Sequence, residues 1–308
     1  MPRIFGRSLR LLSVFTLAAL LLNACSDDVN PFIGTELPYT VWGNINPQAD
    51  TQAVRVFLID DILQLVSPDP LDAEVTITEL DSGDRHVLKD SVIQLPNGDY
   101  RHIFWAAFNV QHLNTYRLEV ERSDGELTNS NDVQVPAPIE LDVVPTDPNA
   151  LSELIQRVNI LDQPPALPRI DVTYRTFSVS SDRVRIADNP VTLQYTGTTR
   201  IVDDTLRLDM DLRADFREIR LNFDENELGG LICVEGVDLE VHVGNAAWQS
   251  PTGVFDPNFL VEPGSLSNIE NGFGFFGAGY VETIEFLPRD LSLVRAGFFD
   301  CVAPIEGG

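Results

Sequence analysis

Residues 115–121 read TYRLEVE, a stretch in which apolar and charged side chains alternate. Tyr116, Leu118 and Val120 occupy every second position, and charged residues fill the positions between them. Because successive side chains of a β-strand point to opposite faces, this pattern predicts a strand with one buried face and one solvated face. Strands of this kind are typical of antiparallel sheets, which leave one face to water.

Five earlier segments share this short, β-branched and aromatic composition. They are 39–45 (YTVWGNI), 52–59 (QAVRVFLI), 73–80 (AEVTITEL), 86–95 (HVLKDSVIQL) and 99–108 (DYRHIFWAAF). Turn-forming sequences such as DSGD, PNGD and SDGE separate or follow them. Strands of this rhythm within about 100 residues predict an immunoglobulin-like β-sandwich over residues 38–137.

A proline-rich sequence, VPAPIELDVVPTDP, marks the boundary to a second and larger β-rich domain at 138–303. Asp147 as the cap and Pro148 at the first helical position predict one short helix directly after it. Its apolar side chains recur at three- and four-residue spacing and are Leu151, Leu154, Ile155 and Val158. This helix must end before DQPPALP, because prolines exclude a helical backbone there.

The rest of the second domain returns to alternating patterns. In TLRLDMDLRADF (205–216) the apolar residues stand at even positions, whereas in EIRLNF (218–223) they stand at odd positions. A shift of one residue reverses the faces of a strand, so we expect a bulge or bend near Arg217 and Glu218. The segment VDLEVHV (237–243) predicts a strand that buries its valines and leucine. The predicted fold class is mainly β, with one short helix in the second domain.

The first 24 residues have the features of a secretion signal. Three arginines precede an apolar run at 11–22, which is shorter than the roughly 20 residues of a membrane-spanning helix. The sequence from Leu22 to Cys25 then resembles the lipobox of bacterial lipoproteins. The resemblance implies that residues 1–24 are removed and that Cys25 is acylated as the new N-terminus. An ordinary signal followed by a chance cysteine is the alternative.

The lipobox also implies where the protein works. By similarity to lipoprotein sorting rules, Ser26 after the cysteine favours the outer membrane, with the protein facing either the periplasm or the cell surface. Residues 25–37 contain acidic residues, Asn-Pro and Gly without a sustained period, so they predict a lipidated tether. Residues 304–308 form a short tail after the last domain.

Composition excludes one class of partner. The formal net charge is −26, and Lys89 is the only lysine of the chain. Such a chain repels nucleic acid, which we therefore do not expect as a partner. The hydrophobic fraction of 44% allows a full core, so the chain is expected to be globular.

Two cysteines remain once Cys25 is assigned to the lipid anchor. Cys233 and Cys301 are an even number in an oxidising compartment, so we predict that they form one disulfide. Two buried free thiols are the alternative, because spacing alone does not show that the sulfurs meet.

No pattern in the chain predicts catalysis, a cofactor or a metal. The four histidines lack metal-ligand spacing, and the common nucleophile and phosphate-loop motifs are absent. His242 shares the polar face of its strand with Asp238 and Glu240, but a solvated strand face explains this pattern without an ion. Acid pairs such as Asp209 with Asp211, or Asp224 with Glu225 and Glu227, occur by chance in a chain with 47 acids. A surface hydrolase using two such acids remains an alternative.

The most distinctive stretch is GSLSNIENGFGFFGAGYVE (264–282), in which glycines interleave with Phe273, Phe275 and Phe276. It is not a nucleotide-binding loop, because no helix pattern follows it. The rings either anchor a bulged strand in the core or form an exposed contact patch. These three residues, with Trp105 and Trp248, are the candidate contact residues, because large aromatic side chains are common interface anchors.

Four sequences in a fixed order resemble a known family. A lipobox, TYRLEVERSDGE, VPAPI and SNIENGFGFFGAG together resemble the Bacteroidota outer-membrane lipoproteins grouped as domain of unknown function 4249. The resemblance implies a cell-envelope lipoprotein that is often encoded beside a TonB-dependent outer-membrane receptor, and it implies no catalytic residues. We therefore expect a non-catalytic binding accessory of such a β-barrel receptor. An adhesin or structural envelope lipoprotein is the alternative.

Overall fold

The computed structural model describes residues 37–59, 67–98, 100–146, 154–179, 185–223, 231–248 and 267–301. The predicted signal peptide, Cys25, the tail at 304–308 and all but the last residue of the tether lie outside this part of the chain. Among the described residues, no helix is both long and apolar enough to cross a membrane.

The first half of the described chain is built from eight strands. They are β1 (Tyr39–Ile45), β2 (Thr51–Leu58), β3 (Glu74–Glu79), β4 (Arg85–Gln94), β5 (Tyr100–Ala107), β6 (Thr115–Glu121), β7 (Leu127–Ser130) and β8 (Val133–Gln134).

The second half of the described chain adds ten strands, two α-helices and a short 3₁₀ helix. The strands are β9 (Glu140–Val144), β10 (Ile155–Leu161), β11 (Ala166–Val179), β12 (Arg185–Asp188), β13 (Val191–Gln194), β14 (Arg200–Val202), β15 (Thr205–Asp211), β16 (Leu231–Gly244), β17 (Ile269–Glu270) and β18 (Gly272–Phe286). The helices are α1 (Leu212–Leu221) and α2 (Asp290–Ala296), and the 3₁₀ helix is Ala246–Trp248.

Fourteen of the described strands join into one large sheet, in which the order is β12-β11-β16-β18-β1-β2-β5-β4-β3-β6-β7-β17. β13 also pairs with β11, and β8 also pairs with β6. A second sheet has the order β14-β15-β10-β9. The prediction of a mainly β protein is therefore confirmed, since helices occupy two short segments of the described chain.

The first half packs around one hydrophobic cluster. Val41, Val54 and Phe104 from β1, β2 and β5 contribute to it, and so do Ile77 and Leu118 from β3 and β6. β1 and β6 are separated by several strands in the order of the large sheet, yet both bury side chains in this cluster. The sheet therefore folds over itself, as a β-sandwich does. The predicted burial of the alternate residues in TYRLEVE is confirmed.

A second hydrophobic cluster fills the other half. The long strands β11 and β16 supply one wall, including Val172 and Leu239, and the four-stranded sheet supplies the other, including Val158 and Leu208. Ile219 of α1 closes one end, where α2 also packs. The four predicted inward residues of VDLEVHV are all buried, as alternation requires.

β18 connects the two halves. Its first part pairs with β1 in parallel from Gly272 to Ala278, and its second part pairs with β16 in antiparallel fashion from Gly279 to Phe286. Phe276 and Ala278 therefore enter the first cluster although they lie late in the sequence, and Ile269 joins them from β17, which pairs with β7. The domain limits at 38–137 and 138–303 stay a prediction, but the chain returns to the first half within the later range.

The helix prediction at the start of the second domain is wrong where the structure describes it. Residues 147–153 lie outside the described chain, and Ile155–Leu161 is the strand β10. Gln156, Val158 and Ile160 alternate inward there, because β10 pairs with both β15 and β9. Pairing on both sides outweighs a weak helical spacing.

The observed helix α1 lies where a bent strand was predicted. Asp211 caps it, since its side chain accepts hydrogen bonds from the backbone N–H groups of Arg213 and Ala214. Leu212, Asp215 and Ile219 are buried at helical spacing. The change from even to odd apolar positions near Arg217 marks a helical turn and not a bulge.

Candidate functional site

The glycine-phenylalanine segment forms the first part of β18. At Gly274, φ is +112° and an added Cβ would lie 1.9 Å from the carbonyl oxygen of Val41, so glycine is required for the parallel pairing with β1. The side-chain amide of Asn268 brackets Phe276, donating to its carbonyl oxygen at 2.6 Å and accepting from its N–H at 2.9 Å. These contacts fix the register of β18 beside the sandwich.

Two of the five candidate contact residues are core residues. Phe276 is fully buried in the first hydrophobic cluster, on the inward face of β18. Phe275 is on the outward face, but it is also buried, with the ring of Trp248 packed against it at a centroid distance of 4.8 Å. Their assignment as exposed contact residues is corrected, because burial leaves their rings no surface for a partner.

The other candidates lie on the outward side of the sheet or beside it. Phe273 and Trp105 are half-buried, and Trp248 is half-buried on the 3₁₀ helix against Phe275. Phe273 is paired with Thr40 of β1, and Trp105 is paired with Ala53 of β2. Cross-strand partners share one face of a sheet, so these positions can be followed across β18, β1, β2 and β5.

Following the register identifies an aromatic face. Thr40 is paired with Phe57, and Trp42 is paired with Arg55 and Phe275. These positions belong to the same outward side as Phe273 and Trp105. We define the aromatic face as the four half-buried residues Trp42, Phe57, Trp105 and Phe273. The sequence analysis did not select Trp42 or Phe57, although each alternates with a valine that is buried.

Two cations lie against the rings of this face. The guanidinium carbon of Arg55 lies 4.9 Å from the centroid of Phe57, and the ammonium of Lys89 lies 5.6 Å from the centroid of Trp105. Both separations are within the range of cation–π attraction. The indole N–H of Trp105 donates to Ser91 at 3.2 Å, which fixes the plane of that ring. The face therefore presents oriented aromatic rings with positive charge beside them.

The acid pair Asp209 and Asp211 has structural partners. Asp209 forms ion pairs with three guanidinium groups, those of Arg157, Arg200 and Arg207. Asp211 caps α1. Asp209, Asp211, Arg157 and Arg200 line a cavity of about 400 Å³ together with Leu154 and Arg213. Both carboxylates are therefore engaged in structural contacts, Asp209 in an ion-pair cluster and Asp211 in a helix cap. The other acids considered, Asp224, Glu225 and Glu227, lie outside the described residues.

The polar face of β16 contains the residues that could hold a cation. His242 and Glu240 lie close to Asp171 of the neighbouring strand β11, and one ligand atom from each of the three lies within 4.8 Å of the others. Asp238 has a different partner, since its carboxylate lies 3.2 Å from Arg175. Burial lowers the pKa of His242, against the opposing effect of Asp171, so the imidazole is neutral at neutral pH.

The structure joins Cys233 and Cys301 in a disulfide, with their Cα atoms 6.0 Å apart. This is the pairing that the sequence predicts. It links β16 to the chain that follows α2, across a sequence separation of 68 residues.

The described residues form a β-rich protein whose large sheet carries the aromatic face on its outward side. A sequence model described as "Domain of unknown function (DUF4249)" matches residues 28–189, more than half of the chain. The protein therefore belongs to this family. No curated protein sequence matches the chain.

Two solved structures show weak similarity. A pullulanase from Anoxybacillus sp. LM18-11 is 8% identical with a TM-score of 0.20, covering 73% of this chain and 28% of its own. Dimeric latent PorU from Porphyromonas gingivalis is 14% identical with a TM-score of 0.19, covering 70% of this chain and 20% of its own. The chain thus spans less than a third of either protein, and TM-scores of this size do not indicate a shared fold.

Proposed function

We propose that this protein is a non-catalytic binding protein, anchored to the bacterial outer membrane through lipid on Cys25, that docks onto a TonB-dependent β-barrel receptor. The observation that carries the proposal is the aromatic face. Large aromatic side chains on the outward side of a sheet are not needed to fill the core, and they are the residues most enriched at protein interfaces.

The chemistry of the face suits a protein partner. Trp and Phe rings bury a large area at a small cost in side-chain entropy, since each has only two rotatable side-chain bonds. Arg55 and Lys89 place two positive charges on a chain whose net charge is −26. Acidic side chains on the partner would complement these cations, whereas the rest of this acidic chain repels an acidic surface.

The predicted anchor gives the face access to a membrane partner. Residues 25–37 would reach at most roughly 40 Å when extended, which holds the β domains near the lipid surface. Two or three acyl chains at the mature N-terminus give lasting attachment, whereas a single chain binds only marginally. A receptor in the same membrane would therefore be met at a high effective concentration, without a need for high intrinsic affinity.

Affinity purification from detergent-solubilised native membranes tests the proposal. The full chain carries a C-terminal tag, and a Cys25→Ser variant is the anchor control. We expect mass spectrometry to find a β-barrel receptor with the wild type and to find it depleted with the control. Recovery of the membrane-bound lipoprotein alone would contradict the accessory function and favour an adhesin or structural role.

Substitutions on the face show whether it makes the contact. Trp42→Ser and Trp105→Ser should each lower receptor recovery by about tenfold or more, as expected for truncated interface anchors. Ile201→Ser is a matched control, because Ile201 is an exposed strand residue of the other sheet, with 66% of its surface accessible. Arg55→Glu changes an exposed residue of the same face and should also weaken binding without unfolding the protein. Undiminished recovery with all three face variants would show that the receptor binds elsewhere.

A further inference from the structure

One outward residue of β11 is buried although its neighbours are not. Asp171 has only 5% of its surface accessible, whereas Arg169 is exposed and Thr173 is half-buried on the same side of the strand. Ile170 and Val172, which alternate with Asp171, face the hydrophobic cluster. The carboxylate therefore lies on the polar side of the sheet but out of contact with bulk water.

The two oxygens of Asp171 differ in their partners. Oδ2 accepts a hydrogen bond from Nε of Arg169 at 2.5 Å. Oδ1 is buried and has no hydrogen-bond partner among the described residues. A buried carboxylate oxygen without a partner is costly, so a bound water or ion is the usual explanation for one in a folded protein.

The buried carboxylate of Asp171 lies beside two further side chains of the kinds that ligate metals. Asp171 is directly paired with Glu240 of β16, and His242 follows on the same face two residues later. One ligand atom from each of the three lies within 4.8 Å of the others. We propose that Asp171, Glu240 and His242 form a binding site for a divalent transition-metal ion, with Zn²⁺ as the best match.

The ligand set favours zinc over calcium or magnesium. Zinc accepts imidazole nitrogen and carboxylate oxygen ligands in one site, whereas calcium and magnesium prefer oxygen ligands throughout. Tetrahedral zinc with bonds of about 2.0–2.2 Å places its ligand atoms about 3.4 Å apart. The exposed side chain of Glu240 can rotate to close the remaining distance, since the strand backbones need not move.

The surroundings provide what metal ligands require. Arg169 hydrogen-bonds Oδ2 of Asp171, which restrains the orientation of the carboxylate and leaves Oδ1 available to an ion. Two strands contribute ligands, so a bound ion would clamp β11 to β16. Three protein ligands leave a fourth position for water.

Titration of the purified full chain with Zn²⁺ tests this site. The protein carries a tag without histidines, is stripped with EDTA, and is titrated with Zn²⁺ by calorimetry. We expect saturable binding of one equivalent. Asp171→Asn, Glu240→Gln and His242→Gln should each weaken the affinity by about tenfold or more, because each removes one ligand.

Asp238→Asn is the matched control, because Asp238 lies on the same face of β16 but pairs with Arg175. Its affinity for Zn²⁺ should equal that of the wild type. If Asp171→Asn does not fold, as judged by thermal unfolding, Glu240→Gln and His242→Gln decide the result. Absence of saturable Zn²⁺ binding, unchanged affinity in His242→Gln, or preferential Ca²⁺ binding that does not depend on His242 would each overturn the proposal.

Discussion

Two outward regions of the large sheet differ in chemistry although β18 contributes to both. Its first part supplies Phe273 to the aromatic face, and its second part pairs with β16 beside Glu240 and His242. The inward residues of both regions are apolar and buried, so the two cores are alike. The informative departures are outward, namely half-buried aromatic rings in one region and the buried Asp171 in the other. Both proposed binding sites therefore rest on side chains that the core does not need.

The largest expected effect on stability distinguishes the two faces of β18. Phe276→Ala removes a fully buried ring and should lower the free energy of unfolding by about 3–5 kcal/mol. Phe273→Ala removes a half-buried ring three residues earlier on the outward face and should cost about 1 kcal/mol or less. Denaturant unfolding of both variants measures the difference. Equal losses would mean that the aromatic face belongs to the core.

A buried acid inside the second cluster should make stability depend on pH. Asp215 accepts hydrogen bonds from the hydroxyl groups of Tyr174 and Tyr195, and burial raises its pKa to about 6. The raised value means that the folded state binds the proton more tightly than the unfolded state. The stabilisation is therefore complete below about pH 4 and is lost as the pH rises through about 6, by about 3 kcal/mol in total.

Asp215→Asn isolates this contribution, because it keeps the shape of the side chain and cannot ionise. The difference in unfolding free energy between wild type and variant should shift in favour of the variant between pH 4 and pH 7. Other groups that titrate in this range cancel in the difference. A difference that does not change with pH would show that folding does not raise the pKa of Asp215. Asp215 differs from Asp171 in its hydrogen-bond donors. The donors to Asp215 are neutral hydroxyl groups, whereas the donor to Asp171 is the positively charged guanidinium group of Arg169.

The alternation of apolar and polar residues predicts the strands well, because it depends on one local property. That property is the face of the sheet to which each side chain points. The inward residues of TYRLEVE and VDLEVHV could be identified from their spacing alone. The helix α1 could not, because Leu212, Ala214 and Phe216 also fit a strand over a short window. Only the capping side chain of Asp211 and the burial of Asp215 at helical spacing separate the two structures.

The candidate sites depend on contacts that a linear pattern does not contain. Phe273 and Trp105 could be selected as aromatic residues, but their common face follows from pairing across four strands. Asp171 lies in a polar-apolar alternation that gives no sign of its burial. Its approach to His242 follows from the pairing of β11 with β16, which are about 70 residues apart in the sequence. Sheet register over such separations is set by tertiary packing.

An intermediate effect on stability is expected at Asp209, the outward acid of the small sheet. Asp209→Asn leaves Arg157, Arg200 and Arg207 facing one another without the carboxylate, which should cost about 1–2 kcal/mol after allowance for their partial exposure. High salt should reduce this loss by screening the repulsion among the guanidinium groups. Asp142→Asn is the control, because Asp142 accepts from Asn159 on the same sheet. An equal loss of unfolding free energy in the two variants would mean that the three ion pairs of Asp209 do not stabilise the protein.

The smallest effect is expected at Asp171 in metal-free protein. Asp171→Asn keeps an oxygen for Arg169 and removes a negative charge whose second oxygen has no partner among the described residues. Loss of an ion pair with an exposed arginine and relief of a costly buried charge act in opposite directions, so stability should change by less than about 1 kcal/mol. Denaturant unfolding in EDTA measures this change. A loss as large as that of Asp209→Asn would show that Asp171 is retained for stability. A near-neutral result would leave ligand binding as the reason for a buried acid on this face.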